Sequence, residues 1–324
     1  MKEFTIDGRE AGQSSWKYLT RLLPEAASGL LRKSMRKKNI TVNGKKIEGK
    51  EKLQTGDRVE IWFSDETLAK FMGQTEIETA KEETWKEFPQ WILYEDAQML
   101  VLNKPAGLLS QGDKSGSDSL NDGLLAYLQS EISPTVKPSI CNRLDRNTSG
   151  LVLAGKNVQA LQELNGWIKD HALHKEYQAI VYGTMKGSGV LKGFLVKNHG
   201  TNQVRYTDKA EKGALPIESR YQVLKNFEKQ GISCTLLQVQ LVTGRSHQIR
   251  IHFASLGHPL LGDRKYGSQE SIMASQKLHI HRQMLHAYEM IFPKTKGILT
   301  ALSGKTIQAP LPEDMIELCE TSSQ

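Results

Sequence analysis

The chain has 324 residues, 38% of them hydrophobic and 24% charged, with a formal net charge of +7 and a pI near 9.1. At roughly 100–200 residues per domain this allows about two domains with an apolar core, and the charge favours a polyanionic partner. No run approaches about 18 apolar residues, Met1–Asp7 lacks a leader's apolar region, and the three cysteines lie far apart, which speaks against a membrane span, a secreted disulfide framework or a zinc site and for a reducing cytoplasm.

Residues 1–64 read as a separate unit. Trp16, Leu19, Leu22 and Leu23 recur at helical spacing until Pro24 interrupts them, and a second helix is predicted over 26–38. That helix sets Leu30, Leu31 and Met35 beside Arg32, Lys33, Arg36, Lys37 and Lys38. Two short β-rich runs follow, at 40–46 and 57–63, and Asn43-Gly44 in the first is a hairpin signal that brings Lys45 and Lys46 to the turn. Lysines on a helix face can serve solubility alone. Recurring on consecutive elements, they form the kind of patch that contacts phosphates without reading sequence.

Residues 65–88 carry Asp65, Glu66, Glu76, Glu78, Glu82, Glu83 and Glu87 against only Lys70, Lys81 and Lys86. The segment is polar and aperiodic, so it is expected to be an acidic linker, a tether that lets two basic units grip one polyanion. From 89 to 312 the pattern changes again. Strands are predicted at 92–94 and 99–103, a helix over 117–130 with Leu120, Leu124, Leu125 and Leu128 inward, and a helix from an Asn157 cap to Leu173. A strand starts at His174 with Lys175-Glu176-Tyr177, and 231–242 alternates as a half-buried antiparallel strand does. Hairpins with few helices between them predict an α+β unit with a mixed, largely antiparallel sheet, and residues 313–324 a short helix and frayed tail.

Within this unit Cys141-Asn142-Arg143-Leu144-Asp145-Arg146 leads into the turn residues Asn147-Thr148-Ser149-Gly150 and then the apolar run Leu151–Ala154. Asp145 is thereby placed on a short loop anchored by a buried strand. Thr243-Gly244-Arg245-Ser246-His247-Gln248-Ile249-Arg250 reads as a strand end, a turn and a helix capped by Ser246 and stopped by Gly257. His247 and Arg250 are expected on one face of that helix and Ile249 and Phe253 on another. His279, His281 and His286 read as parts of the fold rather than metal ligands, and Gly183, Gly187 and Gly189 as turn formers rather than a dinucleotide loop.

Asn142–Gly150, Lys175–Tyr177 and Gly244–Arg250, with Leu102–Leu109 before them and Gly257–Asp263 after, resemble in order and spacing the motifs of RluA-type pseudouridine synthases. The family most often has His where Asn142 stands and Thr where Ser246 stands. Residues 1–64 resemble the small RNA-binding module named after ribosomal protein S-four. The resemblance implies a pseudouridine synthase fold and an enzyme that detaches uracil from ribose carbon 1′, rotates it and reattaches it through carbon 5. It implies no cofactor and no metal. Asp145 would be the catalytic carboxylate, acting on the ring, on the ribose or as a base toward it. Arg250 would pair with Asp145, and Tyr177 would stack on uracil or move a proton. Arg143 would enter the RNA stack after the target nucleotide leaves, and Asn142 and Arg146 would support the loop or the backbone. The implied partner is large-subunit ribosomal RNA, with transfer RNA as the alternative, bound by a monomer. Two other readings use the same residues: a non-catalytic ribosome-assembly factor, and an enzyme that cleaves an N-glycosidic bond.

Overall fold

The structure, a computed structural model, describes residues 1–73, 82–113, 116–197 and 204–320. The first elements are β1 (Lys2–Thr5), α1 (Ser15–Leu22), α2 (Ser28–Arg36), β2 (Ile40–Val42), β3 (Lys45–Lys46), β4 (Arg58–Ile61) and α3 (Asp65–Met72). The four strands form an antiparallel sheet in the order β1-β4-β2-β3. Leu19, Leu31, Ile40, Leu53 and Ile61 are fully buried and make a core of their own beneath the sheet. Asn43 and Gly44 both take positive φ, 52° and 70°, as the predicted tight turn requires.

The stretch expected to be a linker is partly built into the fold. Ser64 caps α3, accepting from the Thr67 amide at 3.2 Å, and Leu68 is buried in the N-terminal core. Further on, Trp85 and Phe88 pack against Gly123, where an added Cβ would sit 2.6 Å from the Trp85 ring. The periodicity was too short to betray a helix of two turns, and the aromatics declare themselves only through their partner. Residues 74–81 lie outside the described part.

The second sheet is built from β5 (Ile92–Glu95), β6 (Met99–Lys104), β7 (Ser139–Ile140), β8 (Ser149–Gly155), β9 (His174–Tyr182), β10 (Ser188–Lys197), β11 (Val204–Thr207), β12 (Leu215–Lys229), β13 (Ile232–Leu241), β14 (Leu285–Ile291) and β15 (Thr306–Gln308). Among the described residues these eleven strands run β11-β10-β12-β13-β9-β14-β8-β6-β5, with β15 added to β14 and β7 to β8. Of these pairs only β14–β8 is parallel. The helices α4 (Leu120–Tyr127), α5 (Val158–Lys169), α6 (Gln248–Ser255), α7 (Gln269–Lys277) and α8 (Glu313–Cys319) pack around it, giving the α+β fold that the pattern predicts.

Several local expectations change. Asn157 does cap α5, accepting from Ala160 N at 2.9 Å, but the helix ends at Lys169, because His171 turns the chain with φ +54°. Gly189 lies inside β10 rather than in a turn; a Cβ there would be 2.7 Å from the Tyr221 ring, so glycine is needed for close packing. The short C-terminal helix forms as expected, but it is packed into the fold: Met315 and Leu318 of α8 are buried with Phe227 and Ile180, and residues 321–324 lie outside the described part. The two units are also joined by hydrogen bonds outside their cores. Val158 N donates to Arg9 O at 3.1 Å, Gln162 Nε2 to Gly12 O at 3.1 Å, and Thr135 Oγ1 to the Glu10 carboxylate. The tether is therefore not the only link between the N-terminal sheet and the larger one.

Candidate active site

The Asp145 loop is fixed where it enters β8. Gly150 takes φ +111°, and a Cβ on it would lie 2.2 Å from Ala287 O, so only glycine lets β8 run parallel against β14 at this point. Asn142 spans the loop base like a strand residue: its Oδ1 accepts from Leu153 N at 2.8 Å and its Nδ2 donates to Leu151 O at 3.3 Å. The Thr148 amide closes the turn on Asp145 O at 3.0 Å.

Opposite this loop stands α6. It is not two-faced as its spacing predicted: all six residues from Gln248 to Phe253 are buried. Nor does Ser246 cap it. His247 occupies the cap position in left-handed backbone with φ +57°, while Gln248 turns back so that its Oε1 accepts from Arg245 N at 3.1 Å and Thr243 Oγ1 at 2.8 Å. Gly257, with φ +78°, does end the helix.

The three residues named as catalytic from the resemblance converge on one cleft of about 540 Å³. Arg250 Nη1 donates to Asp145 Oδ2 at 2.8 Å, across 105 positions of sequence. The rest of the guanidinium is gripped by Asp263, with Nε to Oδ2 at 2.7 Å and Nη2 to Oδ1 at 2.9 Å. Such a fork fixes the plane of the guanidinium as well as its position. Burial pushes the Asp263 carboxyl up, but the Arg250 hydrogen bonds and charge outweigh it and hold it below the usual carboxylate range. Beneath, the Tyr266 ring lies 5.1 Å from the Arg250 guanidinium, and its hydroxyl pairs with His247 Nδ1 at 2.7 Å. His247 Nε2 is 3.8 Å from Asp145 Oδ2, too far for a hydrogen bond. Burial lowers its pKa, so it is mostly neutral at pH 7.

Tyr177 opens into the same cleft from β9 and is 7% exposed. Burial first, and the Asp145 charge second, push its hydroxyl well above the usual tyrosine range. It is thus a donor and an aromatic face at neutral pH, not a base. Arg143 lies exposed on the rim of the cleft, and among the described residues no hydrogen bond or ion pair holds its guanidinium. Arg146 is exposed too, but its Nε donates to Gly107 O at 2.9 Å, which ties it to the neighbouring turn. In the N-terminal unit Arg32, Lys33, Arg36, Lys37, Lys38, Lys45 and Lys46 are all exposed, with Arg32 over the Trp16 ring at 5.1 Å. No acidic partner for any of the seven is found among the described residues.

Sequence reasoning gave no role to Asp263, Tyr266, Lys175, Arg245 or Lys104. Asp263 had a signal in Gly262-Asp263, since Gly262 turns with φ +77° so tightly that a Cβ would overlap Arg282 O. Lys175 lines the cleft beside Tyr177, and burial lowers its pKa. Lys104 was visible as a lysine ending an apolar strand. Its side chain is wholly buried, which pushes the amine down to about 7.

A profile of the RNA pseudouridylate synthase family matches residues 98–255, the stretch that holds Asp145, Tyr177 and Arg250. The chain is 34% identical to ribosomal large subunit pseudouridine synthase C of Rickettsia typhi, over 86% of this chain and 90% of that one. It is 29% identical to ribosomal large subunit pseudouridine synthase D of Nitrosomonas europaea, over 98% and 87%. Among solved structures, human RNA pseudouridylate synthase domain containing 4 shares the fold with a TM-score of 0.58 and 22% identity, over 72% of this chain and 94% of that one. The chain belongs to the RluA-type RNA pseudouridylate synthase family. It is accordingly an RNA pseudouridine synthase, an isomerase.

Proposed function

We propose that this enzyme converts specific uridines of large-subunit ribosomal RNA to pseudouridine, with Asp145 as the catalytic carboxylate. The relatives named above are ribosomal large subunit synthases, which favours that RNA over transfer RNA. The observation that carries the site reading is the Arg250–Asp145 hydrogen bond of 2.8 Å in a cleft that Tyr177 also lines. A binding protein has no use for a carboxylate facing phosphates.

In the reaction the bond from carbon 1′ to N1 breaks, the uracil turns, a bond from carbon 1′ to carbon 5 forms, the carbon 5 proton leaves, and the freed N1 takes up a proton in its place. No atom is gained or lost by the nucleotide, so neither redox chemistry nor ATP is needed. Asp145 acts on the base or the sugar, steered by Arg250. Tyr177 supplies a face on which uracil stacks while it is detached. Reaching the glycosidic bond requires the nucleotide to leave the helix, at a cost of a few kcal/mol. Arg143, exposed on the rim, fills the gap with a planar guanidinium that also meets phosphate. The exposed cations of residues 1–64 hold a second point on the same RNA. The enzyme works as a cytoplasmic monomer, without cofactor.

Incubating purified protein with uridine-labelled ribosomal RNA tests this. Mass-neutral appearance of pseudouridine is the expected result. Release of free uracil would mean glycosidic cleavage instead, and tight binding without conversion would mean an assembly factor.

A further inference from the structure

Asp145 sits between two residues whose backbones are held from one turn. On its N-terminal side, Ser110 Oγ donates to Leu144 O at 2.8 Å and accepts from Leu144 N at 2.9 Å, so a single hydroxyl satisfies both backbone groups of Leu144. On its C-terminal side, Lys104 Nζ donates to Arg146 O at 3.0 Å and also to Pro105 O and Leu108 O, each at 2.8 Å. Gly107 N adds a second donor to Arg146 O at 2.9 Å. The three carbonyls match the three donors of an ammonium group, and so favour the charged form that burial opposes. Ser110 is 4% exposed and Lys104 0%, so both are committed to the loop rather than shared with solvent. Burying an amine and a hydroxyl this way is costly unless every donor is used, and here each is.

We propose that Lys104 and Ser110 are positioning residues of the isomerisation: they pin the backbone on both flanks of Asp145, so that its carboxylate is held at Arg250 when the RNA arrives. This rests on Asp145 being the catalytic carboxylate. Loops usually carry their reacting groups at the expense of rigidity; here the 104–110 turn restores that rigidity before substrate binds. The sequence concealed the device, since Ser110 and Leu144 are 34 positions apart and neither is unusual alone.

The test uses the full-length chain with Ser110→Ala and Lys104→Met, and Asp145→Asn beside them. Three quantities are read: single-turnover conversion at saturating RNA, RNA affinity, and amide exchange of the 141–150 segment. Loss of positioning of this kind lowers the single-turnover rate roughly 10–100-fold, with RNA Kd unchanged and faster exchange confined to that segment. A wild-type rate in Ser110→Ala, with Asp145→Asn inactive, overturns the proposal alone. Equal losses of rate and RNA affinity also overturn it, since a merely structural role would give that pattern. Conversion by Asp145→Asn overturns the underlying site reading as well. Should Lys104→Met fail to fold, Ser110→Ala decides.

Discussion

The cleft and the N-terminal basic surface use charge in opposite ways. In the cleft, one cation answers two carboxylates: Arg250 is 9% exposed at its side chain, Asp263 is fully buried, and every guanidinium nitrogen has a carboxylate acceptor. On the N-terminal surface, seven lysines and arginines stand exposed with no acidic partner among the described residues. A buried, paired charge buys geometry, because moving it breaks several short hydrogen bonds at once. An exposed, unpaired one attracts a polyanion over distance but fixes nothing, and salt screens it. Chemistry needs the first arrangement and grip the second. Arg143 stands between them, on the rim of the cleft yet unpaired among the described residues.

That contrast can be broken most sharply at Asp145. Asp145→Asn keeps the shape of the side chain but removes its charge, and conversion is expected to vanish while RNA affinity, measured by filter binding, stays as it was. Turnover in that variant would remove the cleft from the chemistry. Next comes Asp263→Asn. Removing one partner of a buried pair costs about 3–5 kcal/mol, so both melting temperature and turnover should fall. Because the Asp263 carboxyl is held below its usual range, its stabilisation is present above the ordinary carboxylate pKa of about 4 and is lost as pH falls below it. Denaturation curves of wild type and variant should therefore converge in acid, and a constant gap down to low pH would mean the pair is not the source.

Gly150→Ala probes the scaffold rather than the charge. Its methyl would meet Ala287 O at 2.2 Å, so destabilisation of at least about 3 kcal/mol, the upper end for overpacking, should appear in urea titrations. Arg143→Ala has a smaller effect. Conversion should slow roughly tenfold, about 1.4 kcal/mol out of an extrusion cost of a few kcal/mol, and a fluorescent base analogue at the target should report less extrusion. An unchanged signal would take Arg143 off the extrusion step. Smallest in turnover, but clearest in salt dependence, is neutralising Lys37, Lys38, Lys45 and Lys46 together. Each of these lysines that meets a phosphate should, once neutralised, flatten the salt slope by about 0.7–0.9, with saturating turnover untouched. This is a cleaner probe than deleting residues 1–64, because deletion would also strip Glu10 from Thr135 and Arg9 from Val158.

Local signals in the chain were enough for the N-terminal hairpin, since Asn43-Gly44 needs only its own backbone to turn, and for the strand after Asp145, whose unbroken apolar run fits no exposed element. The α+β class followed from the spacing of hairpins, and motifs standing in a known order picked out Asp145, Tyr177 and Arg250, which the fold brings to one cleft. What sequence could not give were facts owned jointly by distant residues. The helix at Gln248 looked two-faced, because nothing in eight residues tells that sheet and loops cover every side of it. Asp263 joins Arg250, and Ser110 joins Leu144, only because the sheet order brings their strands and turns together. Propensity and motif are set by neighbours within a turn or two of chain. Burial and pairing are settled by which segments meet, and that is fixed only when the core closes.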